Sequence, residues 1–408
     1  MKILIVGGTG KIGAAVAWDL VREDGVEAVG LVGRTQQALE KVSRWLGSPK
    51  VRVHRSDVTG NDLDLVMGEY DVAVIALPDR RTSYTVVELA IRHGLHLVDM
   101  LEEYHRRPDA HETEGLPVPT GTTGAEYGEW LHEQAVRNDV TFLDGMGFAP
   151  GVSNITVGEG IRKLDLAESA IARVGGIPEK SAAARHPLRY MVTWAFDHVL
   201  REYMIKLPVI KDGRVVEVDA LTDREVFRFR EFGIDEDLEC AITPGMPSFI
   251  YTRPGLREFA EKTIRWPGHY EAIDTLKECG LLDLNPVRVG GAAVVPRAFL
   301  SALLTPRLLA HDGEADVCVM WNTVEGTKNG RKARVDYYLW DQADRVNGIS
   351  SMARVTGFAA AIGARMVGEG KIATPGIVAP EDAFVGDLYA EFIRGLAHRQ
   401  ILVREVES

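Results

Sequence analysis

Cysteine is scarce in this 408-residue sequence: Cys240, Cys279 and Cys318 are far apart, odd in number and lack any Cys-x-x-Cys spacing. That excludes a disulfide framework and a cysteine-built zinc site as organising features, and no metal is expected. A reducing compartment suits such a chain, with the cytoplasm as the default. Long apolar runs are missing too, since nothing approaches the roughly 18 residues of a membrane span. The opening MKILIVGG has too short an apolar run for a signal peptide and ends in glycines, as a strand does. Positive charge is in deficit: 59 acidic against 47 basic residues leave a formal net charge of −12, so nucleic acid is not an expected partner. Any cationic site must therefore be local. Internal repeats and low-complexity tracts are also absent. What remains is 46% hydrophobic and 26% charged, the balance of a soluble globular chain long enough for two or three domains.

The first third alternates strand-like and helix-like segments. KILIVG (2–7), EAVGLVG (27–33), KVRVHR (50–55), DVAVIAL (71–77), HLVDM (96–100) and VTFLD (140–144) read as strands apolar throughout. Stretches such as GAAVAWDLVRE and SYTVVELAIRHG carry the helical period between them. Apolar strands alternating with helices predict a parallel sheet covered on both faces, of the doubly wound nucleotide-binding kind. Directly after the first strand comes Gly8-Thr9-Gly10-Lys11-Ile12-Gly13. In that position Gly8 permits the tight turn, Gly10 lets the backbone approach a pyrophosphate, and Gly13 lets helix and strand pack closely. Where an NAD-binding chain usually has a carboxylate for the ribose, this one has Gly33, followed by Arg34 and Thr35. A missing carboxylate, an arginine and a hydroxyl favour a 2′-phosphate, so NADP is the preferred cofactor and NAD the other possibility. By position, Asp57-Val58 suits the adenine edge, and Ala76-Leu77-Pro78 the nicotinamide ribose.

Further along, GFAPGVSN (147–154) leaves the sixth strand and feeds a helix, placing Phe148 and Asn154 where a carboxylate-bearing ligand would meet free helix N–H groups. SAIARVGGIP, HPLRYMVTW, VCVMWNTV and ARVDYYLW then read as β-rich segments of a mixed second domain inserted into the first. The loop at 115–124 is a candidate lid, part of an unusual insertion at 112–124. The end, from Met352, reads as two helices. Most unusual is EKTIRWPGH (261–269), which gathers Lys262, Arg265 and His269 beside a Trp-Pro-Gly corner in an acidic chain.

GFAPGVSN (147–154), VGGIP (174–178), PLRY (187–190), KTIRWPGH (262–269), MARVTGF (352–358) and GIVAPE (376–381) together resemble the saccharopine dehydrogenase (reductase-type) family, with lysine 6-dehydrogenase as the nearest branch. The resemblance spans nearly the whole chain. It implies an α/β fold, with an N-terminal Rossmann domain at 1–150 and an inserted α+β substrate and dimerisation domain at 151–351. Helices at 352–408 would return to the first domain. It also implies a homodimer and NAD(P)-dependent chemistry at the C–N bond of an amino acid or imine. Such a substrate carries a carboxylate, which Arg265 could hold in bidentate fashion, with Arg173 as another candidate. Proton transfer calls for a group titrating near neutrality, and His269 or Asp99 could serve, with Lys262 assisting. Tyr190 and Tyr203 could add hydrogen bonds. Two other readings are a polyamine-forming reductase of the same superfamily and a non-catalytic NADP sensor.

Overall fold

The computed structural model describes residues 1–58, 60, 62–109 and 115–408. The chain forms two compact units. The first comprises Met1–Glu159, Met246–Thr252 and Ala353–Ile401; the second comprises Gly160–Gly245, Arg253–Met352 and Leu402–Ser408.

In the first unit, β1 (Lys2–Val6), β2 (Ala28–Gly33), β3 (Val51–Arg55), β4 (Val72–Ile75), β5 (His96–Asp99) and β6 (Thr141–Leu143) form one sheet with the Gly376–Val378 strand. All pairs are parallel, in the order Gly376–Val378, β6, β5, β4, β1, β2, β3. Ile3 to Val6 and Val72 to Ile75 have no solvent exposure, because helices cover both faces of these central strands. At the sheet edge β3 departs from the apolar reading, and Arg52, Val53 and Arg55 lie exposed. The seventh strand is too short to stand out by periodicity. The Ser351–Gly368 helix packs closely on the Lys11–Leu20 helix through Gly357, where an added Cβ would lie 3.0 Å from the Ala15 Cβ. Of the expected lid, Leu116 and Val118 pack against the core of this unit, and Thr123 and Glu126 close a capping box on the Gly124–Arg137 helix. Residues 112–114 of the expected insertion lie outside the described residues.

The second unit holds a nine-stranded mixed sheet. It contains β7 (Leu166–Pro178), β8 (Lys206–Lys211), β9 (Arg214–Asp219), β10 (Glu225–Phe229), β11 (Glu236–Ile242) and β12 (Glu258–Arg265). After the separate hairpin of β13 (Val287–Val289) and β14 (Ala292–Val294) come β15 (Asp316–Lys328), β16 (Arg331–Gln342) and the Val403–Glu407 strand. The main order is β10, β11, β12, β7, β15, β16, Val403–Glu407, and only the β12–β7 pair is parallel. HPLRYMVTW is not a strand. It forms a short 3-10 turn at Pro187–Arg189, with Leu188 at φ 59° and Arg189 at φ 48°. Pro187 has no N–H to give a ladder, and left-handed residues cannot continue one. Among the described residues no helix is long and apolar enough to cross a membrane.

Candidate functional site

The carboxyl edge of the first sheet gathers the dinucleotide candidates. The sharp turn after β1 falls on Gly7, at φ 92°, and not on Gly8. Gly8 is small for another reason: a Cβ there would lie 2.9 Å from the Leu31 side chain. At Gly13 a Cβ would come within 2.5 Å of the Gly7 carbonyl oxygen, which explains the close helix packing. Gly10 differs, since it is exposed and only the Gly7 oxygen, at 3.5 Å, is near its Cβ position. An anion can therefore approach the backbone there. Thr9 and Ile12 are half-buried and Lys11 is exposed. At Gly33 a Cβ would lie 2.9 Å from the Thr9 methyl, so an acidic side chain there would require Thr9 to shift. Arg34 and Thr35 are exposed at the start of the Gln36–Leu46 helix, and the Thr35 hydroxyl does not cap it. Arg34 makes no ion pair among the described residues, so its guanidinium is available for a 2′-phosphate. Ala76 lies against the glycine turn, its oxygen 2.4 Å from the Gly7 Cβ position, with Leu77 next to it. Pro78 and Asp57 are exposed, and Val58 is half-buried. This edge fits NADP.

Asp99 is not placed as a proton-transfer group facing an open site. It is fully buried, and its Oδ1 accepts the Gly145 N–H at 2.6 Å. β5 and β6 are neighbours, with Val98 beside Leu143, so Asp144 follows at the same level. His105 joins them: its Nδ1 lies 2.9 Å from Asp144 Oδ1, and its backbone N–H donates to Asp144 Oδ2 at 2.8 Å. Burial pushes both carboxyl groups well above their ordinary range and pulls His105 down, favouring a cluster that keeps its protons internally. The cluster fixes the start of the 147–154 loop.

That loop is likewise not an anion cradle. The Val152 and Ser153 N–H groups donate to the Gly147 and Phe148 carbonyls at 2.9 Å each. The Gly151 N–H donates to Asn154 Oδ1 at 3.0 Å. Asn154 is buried, and its Nδ2 donates to Glu381 at 2.9 Å and to Ser248 at 3.2 Å, so its side chain is occupied in fastening the loop. Phe148 is buried as well.

In the second unit the cations of EKTIRWPGH separate. Lys262 and Arg265 are three apart on one strand, β12, so their side chains leave on opposite faces. Lys262 lies beside Arg173 across the β12–β7 pair, and the two share Glu225. Lys262 also bonds Asp223, at 2.8 Å, and Arg173 lies over the Trp321 ring at 4.6 Å. With their charges already matched by carboxylates, neither is a free carboxylate anchor, and both instead brace the sheet.

The other face holds Arg265, Tyr203, His269 and Tyr190, all buried. Gly268 turns the chain at φ 94° into the His269–Glu278 helix, which carries His269 inward. His269 Nδ1 meets the Leu188 carbonyl at 2.8 Å, which fixes the tautomer with the proton on Nδ1. Nε2 must then accept, and it takes the Tyr203 hydroxyl at 3.0 Å. Tyr203 in turn accepts from Arg265 Nε at 3.1 Å. Burial, then the nearby Arg265, pulls His269 down to about 3, so it is neutral at pH 7. It does not titrate near neutrality as expected from its sequence setting; it orients Tyr203 and Arg265. Arg265 also donates to the Ile264 carbonyl through Nη1 at 3.0 Å and lies 5.3 Å from the Tyr190 ring centroid. Glu239, opposite Arg265 on β11, accepts the Tyr270 N–H at 2.9 Å. Among the described residues no carboxylate lies within ion-pair distance of Arg265, whose Nε and Nη1 donate to the Tyr203 hydroxyl and the Ile264 carbonyl. A buried guanidinium whose charge no carboxylate matches is a candidate group for an anion.

The folded-state value of His269 has a thermodynamic consequence. Between its ordinary 6.5 and about 3, the unfolded chain takes up a proton that the native chain refuses. Stability must therefore fall as pH drops through that window. His269→Gln is expected to show a shallower loss in urea titrations over this range, and an unchanged slope would refute the assignment.

Comparison with known proteins agrees with this architecture. The saccharopine dehydrogenase NADP binding domain matches residues 3–138, and the saccharopine dehydrogenase C-terminal domain matches residues 147–401. The chain is 22% identical to saccharopine dehydrogenase [NADP(+), L-glutamate-forming] of Schizosaccharomyces pombe, over 85% of this chain and 87% of that one. It is 21% identical to carboxyaminopropylagmatine dehydrogenase of Synechocystis sp., over 93% and 92%. Among solved structures, apo saccharopine dehydrogenase (L-Glu forming) from Saccharomyces cerevisiae shares the fold at a TM-score of 0.76, with 21% identity over 100% and 99% of the two chains. This chain belongs to the saccharopine dehydrogenase family and is an NADP-dependent oxidoreductase of that type.

Proposed function

We propose that the chain acts on the C–N bond of an amine that carries a carboxylate, an amino acid or its adduct with a carbonyl compound, and that Arg265 anchors that carboxylate. The observation that carries this reading is the buried guanidinium without a carboxylate partner, pre-oriented by Tyr203 and His269. Bound NADP supplies hydride acceptance and donation. The chain's own residues bind its phosphates at Gly10 and Arg34, hold the substrate carboxylate at Arg265, and keep the Tyr203 proton directed at His269 Nε2. Tyr190 covers Arg265 and strengthens its interaction with an anion by excluding water. The relatives' names support a carboxylated amine as substrate. One of them also favours a second reading, a carboxylated polyamine adduct, which would use the same anchor.

A panel of amine and carbonyl pairs with NADPH, followed at the nicotinamide absorbance, tests this. Oxidation of NADPH is expected only when the amine or the carbonyl partner bears a carboxylate. Cofactor binding without turnover of any pair would leave a sensor, and equal turnover of carboxylate-free pairs would remove the anchor.

A cytoplasmic homodimer completes the proposal. Its supports are the free cysteines and the exposed apolar side chains Val287, Val289, Phe299 and Leu303 of the second unit. Sedimentation at micromolar concentration is the direct check on the assembly.

A further inference from the structure

In the second unit, His186, His311 and Glu314 bring their ligand atoms together within 4.8 Å. His186 Nε2 lies 2.6 Å from Glu314 Oε2, and His311 Nδ1 lies 3.7 Å from the same oxygen. A four-coordinate ion with bonds of about 2.0–2.1 Å separates its ligand atoms by roughly 3.3 Å, a value between these two. The far nitrogen of His186, Nδ1, meets the Arg307 carbonyl at 3.0 Å. That bond places a proton on Nδ1, the outer-shell arrangement that metal-binding histidines use, and leaves Nε2, which now donates to Glu314, as the nitrogen an ion would take in exchange for its proton. The His186 and Glu314 side chains are almost fully buried, whereas the His311 side chain is 65% exposed. Arg185 occupies the other oxygen of Glu314, at 2.8 Å from Nη2, so the carboxylate can offer only Oε2.

We propose that His186, His311 and Glu314 form a binding site for one divalent transition ion of the Zn2+ class. Two imidazoles and one carboxylate oxygen are a borderline ligand set, which suits Zn2+ and disfavours Mg2+ or Ca2+. With three protein ligands a coordination position stays open. His186 also lines a cleft of about 660 Å³, together with Arg189, Trp266 and Gly268, which supplies an entry path. The bound ion would tie the residues after the Pro296–Leu308 helix to the segment just before Pro187–Arg189. That turn contains Leu188, whose carbonyl orients His269. The site is therefore a fastener for the Leu188 segment, and it does not depend on the substrate assigned above.

The test uses the untagged full-length chain, stripped with EDTA and titrated with Zn2+ against a chromophoric chelator. The wild type is expected to bind one ion per chain. His311→Ala, a change at an exposed side chain, is expected to weaken binding by at least about tenfold while leaving NADPH binding and the circular dichroism unchanged. Glu314→Gln should weaken binding similarly, and Mg2+ should not compete. Absence of Zn2+ binding by the wild type, or equal affinity in the wild type and His311→Ala, would overturn the site.

Discussion

Arg265→Ala is expected to lower kcat/KM for a carboxylated amine by about 10²–10³-fold, mainly through KM. The figure follows from losing a desolvated, charge-assisted contact, which costs roughly 2–5 kcal/mol. Arg265 is the buried cation of its sheet face without a carboxylate among the described residues, so its removal strands no acid inside the protein. The melting temperature should fall by what the cavity and the lost Tyr203 bond cost, without the added penalty of a stranded charge. Arg265→Lys keeps the charge but loses the planar fork and the Nε bond to Tyr203, and should recover only part of the loss. If both variants bind substrate like the wild type, another group must hold the carboxylate.

The second large effect concerns the cofactor. Arg34→Ala should raise KM for NADP(H) by about 10–100-fold and leave KM for NAD(H) nearly unchanged, because a charge-assisted bond to a phosphate contributes roughly 1.5–3 kcal/mol. The converse change, Gly33→Asp, is not a clean cofactor switch in this chain. Its Cβ would enter the space of the Thr9 methyl at 2.9 Å and disturb the glycine turn that both cofactors need. Steady-state constants for both cofactors check this, and an equal loss for NAD(H) would show that Arg34 acts through the loop and not through the phosphate.

The first sheet was legible because its central strands are covered on both faces, and a run such as KILIV has no other stable use. The edge strand β3 was read as a strand but not as an edge, since pairing order is not written in a single segment. The cation stretch shows the opposite difficulty. In sequence Lys262, Arg265 and His269 form one cluster, because nothing in the spacing of the segment marks Glu258–Arg265 as a strand. Once it is a strand, alternation alone sends Lys262 to Glu225 and Arg265 to Tyr203. Tyr190 and Tyr203 do meet Arg265, whereas Asp99 holds the Gly145 N–H and Asn154 fastens its loop to Glu381 and Ser248. The Asp99–Asp144 pairing was within reach, since each ends a neighbouring parallel strand, but the His105 contribution comes from a loop with no periodic signal. His186 and His311 are so distant in the chain that only the fold brings them together.

The most direct measurement pairs Arg265 with the group it is proposed to bind. Turnover of a substrate and of its decarboxylated analogue is compared in the wild type and in Arg265→Ala. The account predicts that the wild type strongly prefers the carboxylated compound and that the variant loses most of this preference, a coupling of about 2 kcal/mol or more. A variant that loses activity equally toward both compounds would contradict it, because Arg265 would then support the fold of the site without touching the carboxylate.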